Sequence, residues 1–238
     1  MQTVTLNKLR LSPGDRLLDV GCGAGRHLHA ALADAAEADC IGLDLNAESL
    51  AAARDGARSV FGEAALSRLS LIRGDARRLP FPDDAFDAVI CSEALEHIVE
   101  YEDALAEIAR VAKPEARLAI SVPRGWPERI CWTLSRGYRE EPGGHVRIFD
   151  ARMLQKAIEA RGFQFEGRAF VHGLHSPYWW LRCLFWRTQD ANIAIHLYRK
   201  FLEWDLMKRP RITRLLDAIA SPLMGKSVVL YFRKGRAA

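Results

Sequence analysis

The chain has 238 residues, of which 49% are hydrophobic and 27% charged, and a formal net charge of +4. Its length and apolar fraction are sufficient for one full α/β core, so a second domain is not required and we expect a single domain over residues 1–238. The N-terminus shows no basic segment followed by an apolar core, and no apolar run reaches membrane-spanning length, so the expected location is the cytoplasm.

A glycine-rich turn follows the first predicted strand. Residues 17–20 (L-L-D-V) are suited to a central parallel strand, and helix-favouring residues begin at Arg26. Between them, Gly21, Gly23 and Gly25 stand at alternate positions, where they let the backbone approach a ligand closely at a helix N-terminus. A dinucleotide-binding loop would have its third glycine one position later. The turn therefore indicates a nucleotide-type cofactor of another class.

The next two predicted strands each lead to an acidic residue. Residues 40–45 (C-I-G-L-D-L) place Asp44 about twenty residues after the loop, where a carboxylate can hold ribose hydroxyls. Residues 69–73 (L-S-L-I-R) lead into G-D-A, which contains Asp75. A helix N-cap is the structural alternative for Asp44, and a turn residue is the alternative for Asp75.

These segments together resemble the class I S-adenosylmethionine (SAM) methyltransferases. The loop D-V-G-C-G-A-G at 19–25 is similar to the first motif of that family, and L-P-F-P-D-D-A-F-D-A-V at 79–89 is similar to the stretch that follows its G-D-A. The resemblance implies that Asp75 contacts the adenine amino group and that the backbone N–H of Ala76 contacts the ring. The cofactor-binding residues that it implies are Asp19, Gly21, Cys22, Gly23, Gly25, Asp44, Leu45, Asp75, Ala76 and Ser92.

The remaining pattern predicts an α/β fold with a doubly wound, seven-stranded, mostly parallel sheet, because strands and helices alternate along the chain. The later strands are predicted at 116–123, 163–171 and 227–233, and helices at 46–60, 101–112 and 150–161. The family resemblance adds that the seventh strand lies antiparallel between the fifth and the sixth.

Two segments outside this framework are expected to cap the site, at about 124–149 and 173–226. The second contains four of the six tryptophans and a predicted helix at 191–207. Because few residues precede the first strand, these caps are expected to cover the acceptor. The predicted substrate-binding residues are Trp126, His145, Tyr178, Trp179 and Trp180.

Aromatic and basic residues are interleaved in the second cap. Its basic residues include Arg182, Arg187, Lys200, Lys208, Arg209, Arg211 and Arg214. This composition suits a lipid-like acceptor with an acidic head or peripheral contact with an anionic membrane. Packing on the sheet or in a homodimer is the alternative, and nucleic acid is less favoured at this low net charge. Trp179, Trp180, Phe185 and Trp186 are too closely spaced for one helix face, so some are expected to face away from the sheet.

The segment after the fourth strand, C-S-E-A-L-E-H-I at 91–98, is the candidate catalytic stretch. If it is helical, Glu93, Glu96 and His97 share one face. The E-x-x-E-H string resembles ubiquinone-biosynthesis O-methyltransferases and small-RNA 2′-O-methyltransferases, some of which hold a divalent metal there. Metal binding is the less favoured interpretation here. For a hydroxyl acceptor, His97 or His145 is the predicted general base.

The sequence therefore predicts a SAM-dependent methyltransferase that acts on a small hydrophobic or lipid-like acceptor at oxygen and releases S-adenosyl-L-homocysteine. Methylation of carbon in a quinone- or isoprenoid-type ring stays open, because no residue pattern separates the two. A non-catalytic SAM-binding regulatory protein is the alternative from another class. The intact loop and its acidic residues argue against lost cofactor binding.

Overall fold

A computed structural model describes residues 2–33, 37–208 and 210–236. Arg209, one of the basic residues of the second cap, lies outside the described residues. The strands are β1 Arg16–Val20, β2 Asp39–Asp44, β3 Leu69–Arg73, β4 Phe86–Ser92, β5 Ala112–Pro123, β6 Phe163–Val171 and β7 Ser227–Lys234. The α-helices are α1 Arg26–Leu32, α2 Ala47–Phe61, α3 Tyr101–Val111, α4 Gly125–Leu134, α5 Arg136–Arg139, α6 Ala151–Glu159, α7 Ser176–Leu184, α8 Ile193–Lys208 and α9 Arg211–Met224.

The strands form one sheet in the order β3-β2-β1-β4-β5-β7-β6. β7 runs antiparallel to β5 and β6, and the other neighbouring strands are parallel. The predicted doubly wound, seven-stranded sheet is therefore confirmed, including the position of its antiparallel strand. The strand order reverses between β1 and β4, and in open α/β sheets ligands bind at the carboxyl ends of the strands at such a point.

The sheet is buried on both faces. Along β1, Leu17 packs into the cluster on one side and Leu18 into the cluster on the other, because successive strand side chains point in opposite directions. Phe86 and Phe232 are among the largest side chains that are fully buried. This two-sided burial explains the continuous apolar runs of the central strands.

Side-chain caps and a left-handed glycine mark the ends of two of the predicted helices. The side chain of Asn46 accepts a hydrogen bond from the N–H of Ser49 at the start of α2, and Asp150 accepts from two N–H groups at the start of α6. Gly162 follows the end of α6 with φ of 85°, a left-handed conformation that favours glycine. The bounds of these helices lie within about two residues of those predicted.

The second cap is helical, as predicted, and consists of α7, α8 and α9 between β6 and β7. α7 packs on α4 of the first cap, whereas α9 packs on β6 and on the 3-10 turn Gly173–His175. No helix in the described ranges combines the length and apolar character needed to cross a bilayer.

Replacing Phe232 with Ala is expected to destabilise the protein by about 3 to 5 kcal/mol, because it leaves a cavity in the core beside β5 and β6. Val60→Ala, on the exposed surface of α2, is the matched control and should change the free energy of unfolding by less than about 0.5 kcal/mol. Denaturant unfolding of both variants measures the difference. Equal stabilities would contradict the assignment of Phe232 to the core.

Candidate active site

The glycine turn after β1 is shaped by left-handed backbone conformations. Gly21, Gly23 and Gly25 have φ of 71°, 52° and 78°, a region that other residues rarely adopt. A Cβ on Gly25 would lie 2.9 Å from the Cβ of Ala53, so this glycine allows α1 to approach α2. A Cβ on Gly23 would meet no described atom within 4 Å. Gly25 therefore has a packing role, whereas Gly23 faces open space.

That open space is a cavity of about 650 Å³ at the carboxyl ends of the central strands. The predicted cofactor residues that line it are Gly21, Cys22, Gly23, Asp44, Leu45, Asp75, Ala76 and Ser92. Asp19 and Gly25 lie behind this lining. Arg77 and Glu100 also line the cavity, and the sequence analysis did not single them out.

Asp44 and Asp75 face the cavity from the ends of β2 and β3. One carboxylate oxygen of Asp44 accepts from the N–H of Gly23 at 2.8 Å, so this side chain also fixes the glycine turn. The guanidinium of Arg77 donates to Asp75 at 2.6 Å and to Glu100 at 2.6 Å. Hydrogen bonds from Arg77 hold the pKa of Asp75 below its usual range. Asp75 is therefore ionised at neutral pH and acts only as a hydrogen-bond acceptor.

Asp19 is a buried carboxyl group without a hydrogen-bond partner. It is 1% exposed, and neither side-chain oxygen is hydrogen-bonded within the described ranges. The Nδ1 atom of His27 lies 3.8 Å away, while its Nε2 atom accepts from the N–H groups of Thr3 and Val4. Burial raises the pKa of Asp19 to about 7 and lowers the pKa of His27 to about 3. An unpaired buried carboxyl behind a ligand cavity indicates a place for a cationic or hydrogen-donating group.

The candidate catalytic stretch differs from its prediction. Only Leu95–His97 is helical, as a single 3-10 turn, and Glu93 has φ of 54°. The proposed shared face of Glu93, Glu96 and His97 is therefore wrong, because the left-handed Glu93 ends the strand before any α-helix begins. Its carboxylate instead accepts hydrogen bonds from Ser121 and Ser227.

His145 takes the place of Glu93 in the observed cluster. Glu96, His97 and His145 each bring a ligand-type atom within 4.8 Å of the others. Glu96 is 1% exposed, and its carboxylate oxygens are unpaired in the part of the chain that the structure describes. Burial and the neighbouring Glu93 raise its pKa well above the usual range. Oxygen and imidazole donors at this spacing fit a divalent cation or a shared proton.

Both histidines are held through Nδ1. The Nδ1 atom of His97 lies 2.9 Å from the carbonyl oxygen of Gly143, and that of His145 lies 2.7 Å from a carboxylate oxygen of Glu128. In the neutral ring, Nδ1 then carries the proton, and Nε2 keeps a lone pair. Each histidine is therefore oriented to accept a proton or bind a metal through Nε2.

Glu128 is the functional residue that sequence reasoning missed. The same oxygen accepts from His145 and from the side chains of Trp132 and Tyr138, at 3.1 and 3.0 Å. Burial opposes its ionisation, but the hydrogen bonds from His145 and Tyr138 hold its pKa below the usual range. A glutamate on a short helix carries no sequence signal of this role, because its three partners are brought together by the tertiary fold.

A second cavity of about 260 Å³ adjoins the first, since His97 lines both. Its walls include Tyr138, His145, Trp179 and Lys226. His97 and His145 thus share this cavity with aromatic residues of both caps.

Not every predicted substrate residue reaches a cavity. Trp126 and Trp180 form a ring pair with centroids 5.6 Å apart, and the indole N–H of Trp180 donates to the carbonyl of Pro127. Tyr178 packs against Tyr198. Trp126 and Trp180 thus join the two caps, whereas Tyr178 packs within the second cap. All three side chains lie outside the lining of the two cavities just described.

Comparison with known proteins identifies the central segment. A family profile described as a methyltransferase domain matches residues 18–120. The chain is 35% identical over 133 residues to the methyltransferase GfsG of Streptomyces halstedii, covering 55% of this chain and 46% of that protein. It is 35% identical over 116 residues to the demethylmenaquinone methyltransferase of Mycobacterium marinum, covering 49% and 45%. The chain thus matches about half the length of these curated relatives.

The fold is also shared over the full length of the chain. The structure of YcgJ from Bacillus subtilis aligns with a TM-score of 0.61 and 23% identity, covering 98% of this chain and 97% of that one. At this identity the likeness establishes the fold alone. Together with the profile match, it confirms the resemblance predicted from the sequence.

Asp19→Asn is expected to change how stability depends on pH. With its pKa raised to about 7, folded Asp19 keeps a proton that the unfolded chain releases from about pH 4. Its contribution therefore makes the cofactor-free protein less stable as pH rises from about 4 to 7, by on the order of 4 kcal/mol. Asn has no such titration, so the variant should gain stability relative to the parent over this range. Denaturant unfolding across pH measures this, and parallel profiles would contradict the burial argument.

Proposed function

We propose that this chain, a member of the class I SAM-dependent methyltransferases, is an enzyme that methylates a hydroxyl group of a small hydrophobic or lipid-like acceptor. The observation that carries the proposal is the pair of adjoining cavities. The larger is lined by the glycine turn and the predicted cofactor residues, and the smaller holds the oriented imidazole of His145. His97 lies between them.

The residues present fit the cofactor. The cavity of about 650 Å³ lies in the range of small-molecule cofactor sites. Gly23 has no side chain that would occupy the cavity. Asp44 and Asp75 supply hydrogen-bond acceptors for hydroxyl and amino groups. Leu45 and Val99 supply apolar surface. Asp19 is the unpaired carboxyl behind the turn, suited to an ammonium group. When bound, the cofactor would supply a methyl group on a sulfonium, which is a good leaving group.

The chain's own contribution is alignment and proton removal. Holding the acceptor in the second cavity beside the first provides proximity, which supplies a large part of the rate. Glu128 orients His145, so that Nε2 can take the proton of an acceptor hydroxyl. The aromatic rings of Tyr138 and Trp179 offer an apolar wall for the body of the acceptor.

A divalent cation at the same place is the second candidate. Glu96, His97 and His145 would hold it, and Glu128 would orient one ligand. Such a cation would polarise the acceptor hydroxyl. The donor set fits a cation, but burial raises the pKa of Glu96, and a protonated carboxyl group is a poor metal ligand. We therefore propose the base as the primary role.

Replacing Asp44 with Ala is expected to weaken SAM binding by roughly tenfold to a hundredfold, because charge-assisted hydrogen bonds are lost. Gly23→Val should weaken it further, since a branched side chain would occupy the cavity and its φ of 52° would be strained. Calorimetry with SAM measures both affinities. Asp55→Ala, on an exposed carboxylate of α2, is the control. Unchanged affinity in a folded Asp44→Ala protein would refute the ribose role.

His145→Ala is expected to lower kcat by about a hundredfold or more, as for loss of a general base, with little change in SAM affinity. Glu128→Gln should cause a smaller loss of kcat, because His145 stays but is less firmly oriented. His196→Ala, on the exposed surface of α8, is the control. The assay follows radiolabelled methyl transfer from SAM into cell extract fractionated by lipid solubility.

The same assay distinguishes the base from the cation. Full activity in excess chelator supports the base, whereas activity that is lost with chelator and restored by a divalent ion supports the metal. SAM binding without methyl transfer to any fraction would instead support the non-catalytic alternative. A labelled carbon-methylated ring would overturn the assignment to oxygen.

A further inference from the structure

Helix α9 is amphipathic, and its apolar side is exposed while its polar side is buried. The side chains of Thr213 and Ser221 are 3% and 5% exposed, and Asp217 lies one turn from each on the same side. The opposite side carries large apolar residues at intervals of i, i+3, i+4, i+7 and i+11. These residues, the α9 outer face, are Ile212, Leu215, Leu216, Ile219 and Leu223, and they are 65%, 62%, 48%, 58% and 65% exposed.

Contacts on the inner side of α9 fix the rotation of the helix about its axis, so that its apolar residues are not buried. Ser221 accepts from the N–H of Gly173, and Asp217 accepts from the N–H of Leu174. A Cβ on Gly173 would lie 2.5 Å from the backbone nitrogen of Ser221, so helix and turn meet backbone to backbone. Large side chains cannot enter this contact. The orientation of α9 is therefore fixed by small and polar residues, and the apolar face is left outside.

Cations lie at the end of α8 and the start of α9. Lys208, Arg211 and Arg214 are exposed, and Arg214 also lines a cavity on the inner side of α9 together with Asp205 and Asp217. Asp217 is the one acidic residue in the sequence of α9, and its two carboxylate oxygens accept from Leu174 and Ser221 on the inner side. The outer side of the helix thus combines apolar side chains with cations and presents no carboxylate.

This combination identifies the partner. A second copy of the chain, docked through this same face, would present the same apolar residues but no carboxylate on the outer side of α9 to pair with Arg211 and Arg214. An anionic lipid surface offers both an apolar interior and negative head groups. We infer that the α9 outer face binds anionic membranes, with the helix lying in the plane of the interface.

The sequence analysis gave anionic-membrane contact as one interpretation of the second cap, with Arg211 and Arg214 among its basic residues, and expected some of its closely spaced aromatic residues to face away from the sheet. Trp179 and Trp180 are half-buried against the first cap, so the exposed apolar side of α9 is a different part of the same cap. α9 spans 14 residues, or about 21 Å of helix, which is sufficient for an interfacial anchor. α8 adds a further exposed stripe with Ile193, Leu197, Trp204 and Met207.

Vesicle sedimentation tests this inference, using the purified chain without cofactor or acceptor. The parent should bind vesicles of phosphatidylcholine mixed with phosphatidylglycerol, should bind pure phosphatidylcholine weakly, and should be released by high salt. Leu216→Gln with Ile219→Gln should bind the anionic vesicles roughly tenfold or more weakly. Arg211→Gln with Arg214→Gln should also bind about tenfold more weakly, with a smaller salt dependence.

The control is Val60→Gln with Met153→Gln, which removes two exposed apolar side chains from α2 and α6 and should bind like the parent. Circular dichroism and SAM calorimetry show that each variant is folded. The inference is overturned if the parent does not bind anionic vesicles, or if the α9 variant binds as well as the parent. A dimer in ultracentrifugation that the α9 variant abolishes, without vesicle binding, would overturn it in favour of a second copy. Because no methyl transfer is measured, these outcomes leave the proposed enzymatic function to its own tests.

Discussion

The main physical constraint beside the glycine turn is the burial of Asp19, whose side-chain oxygens have no hydrogen-bond partner among the described residues. An isolated carboxyl group inside a protein is costly unless it is neutral or paired, and its raised pKa reflects that cost. The neighbouring imidazole cannot relieve it, because the Nε2 atom of His27 is engaged by the N–H groups near the N-terminus and burial disfavours its charged form. Selection for stability alone would place an apolar residue here. A carboxyl group at this position is explained if a bound ligand supplies its hydrogen-bond partner.

Glu128 is the buried carboxylate of the first cap, and unlike Asp19 it is hydrogen-bonded. One of its carboxylate oxygens accepts hydrogen bonds from Trp132 of α4, Tyr138 of α5 and His145 in the loop before α6. The accepting oxygen of Glu128 is buried, but its three hydrogen bonds offset the cost of that burial. The network can therefore fix the orientation of His145. The carbonyls of Gly143 and Gly144 fix His97 in the same way. The first cap therefore orients both histidines, although His97 is exposed.

The sequence predicted the features that depend on local pattern. The alternation of apolar strands with capped helices, the glycine turn and the acids at strand ends depend on neighbours in the chain, so they could be identified from spacing. The pairing of His145 with Glu96 and His97 could not, because it depends on a contact between segments about fifty residues apart. The left-handed backbone of Glu93 was also missed, since only the fold around the strand end imposes it. The packing of Trp179 and Trp180 against Tyr138 and Trp126 of the first cap depends on the tertiary fold in the same way, so the sequence predicted only that some of the aromatic residues face away from the sheet.

The end of α9 is linked to the segments that carry Glu128 and line the second cavity, through hydrogen bonds of Arg124 and through the short chain segment that leads to Lys226. The guanidinium of Arg124 donates to the carbonyls of Pro222 and Leu223 at the end of α9, and Arg124 directly precedes the helix that carries Glu128. Lys226, three residues after Leu223, lines the second cavity. Three residues of chain span at most about 11 Å, so the Cα atom of Leu223, at one end of the α9 outer face, lies within that distance of the Cα atom of Lys226. If α9 rests on a lipid surface and the second cavity holds the acceptor, as proposed above, this end of the helix gives an apolar acceptor a short route between the two. The membrane contact and the acceptor cavity would then share Lys226 as a neighbour.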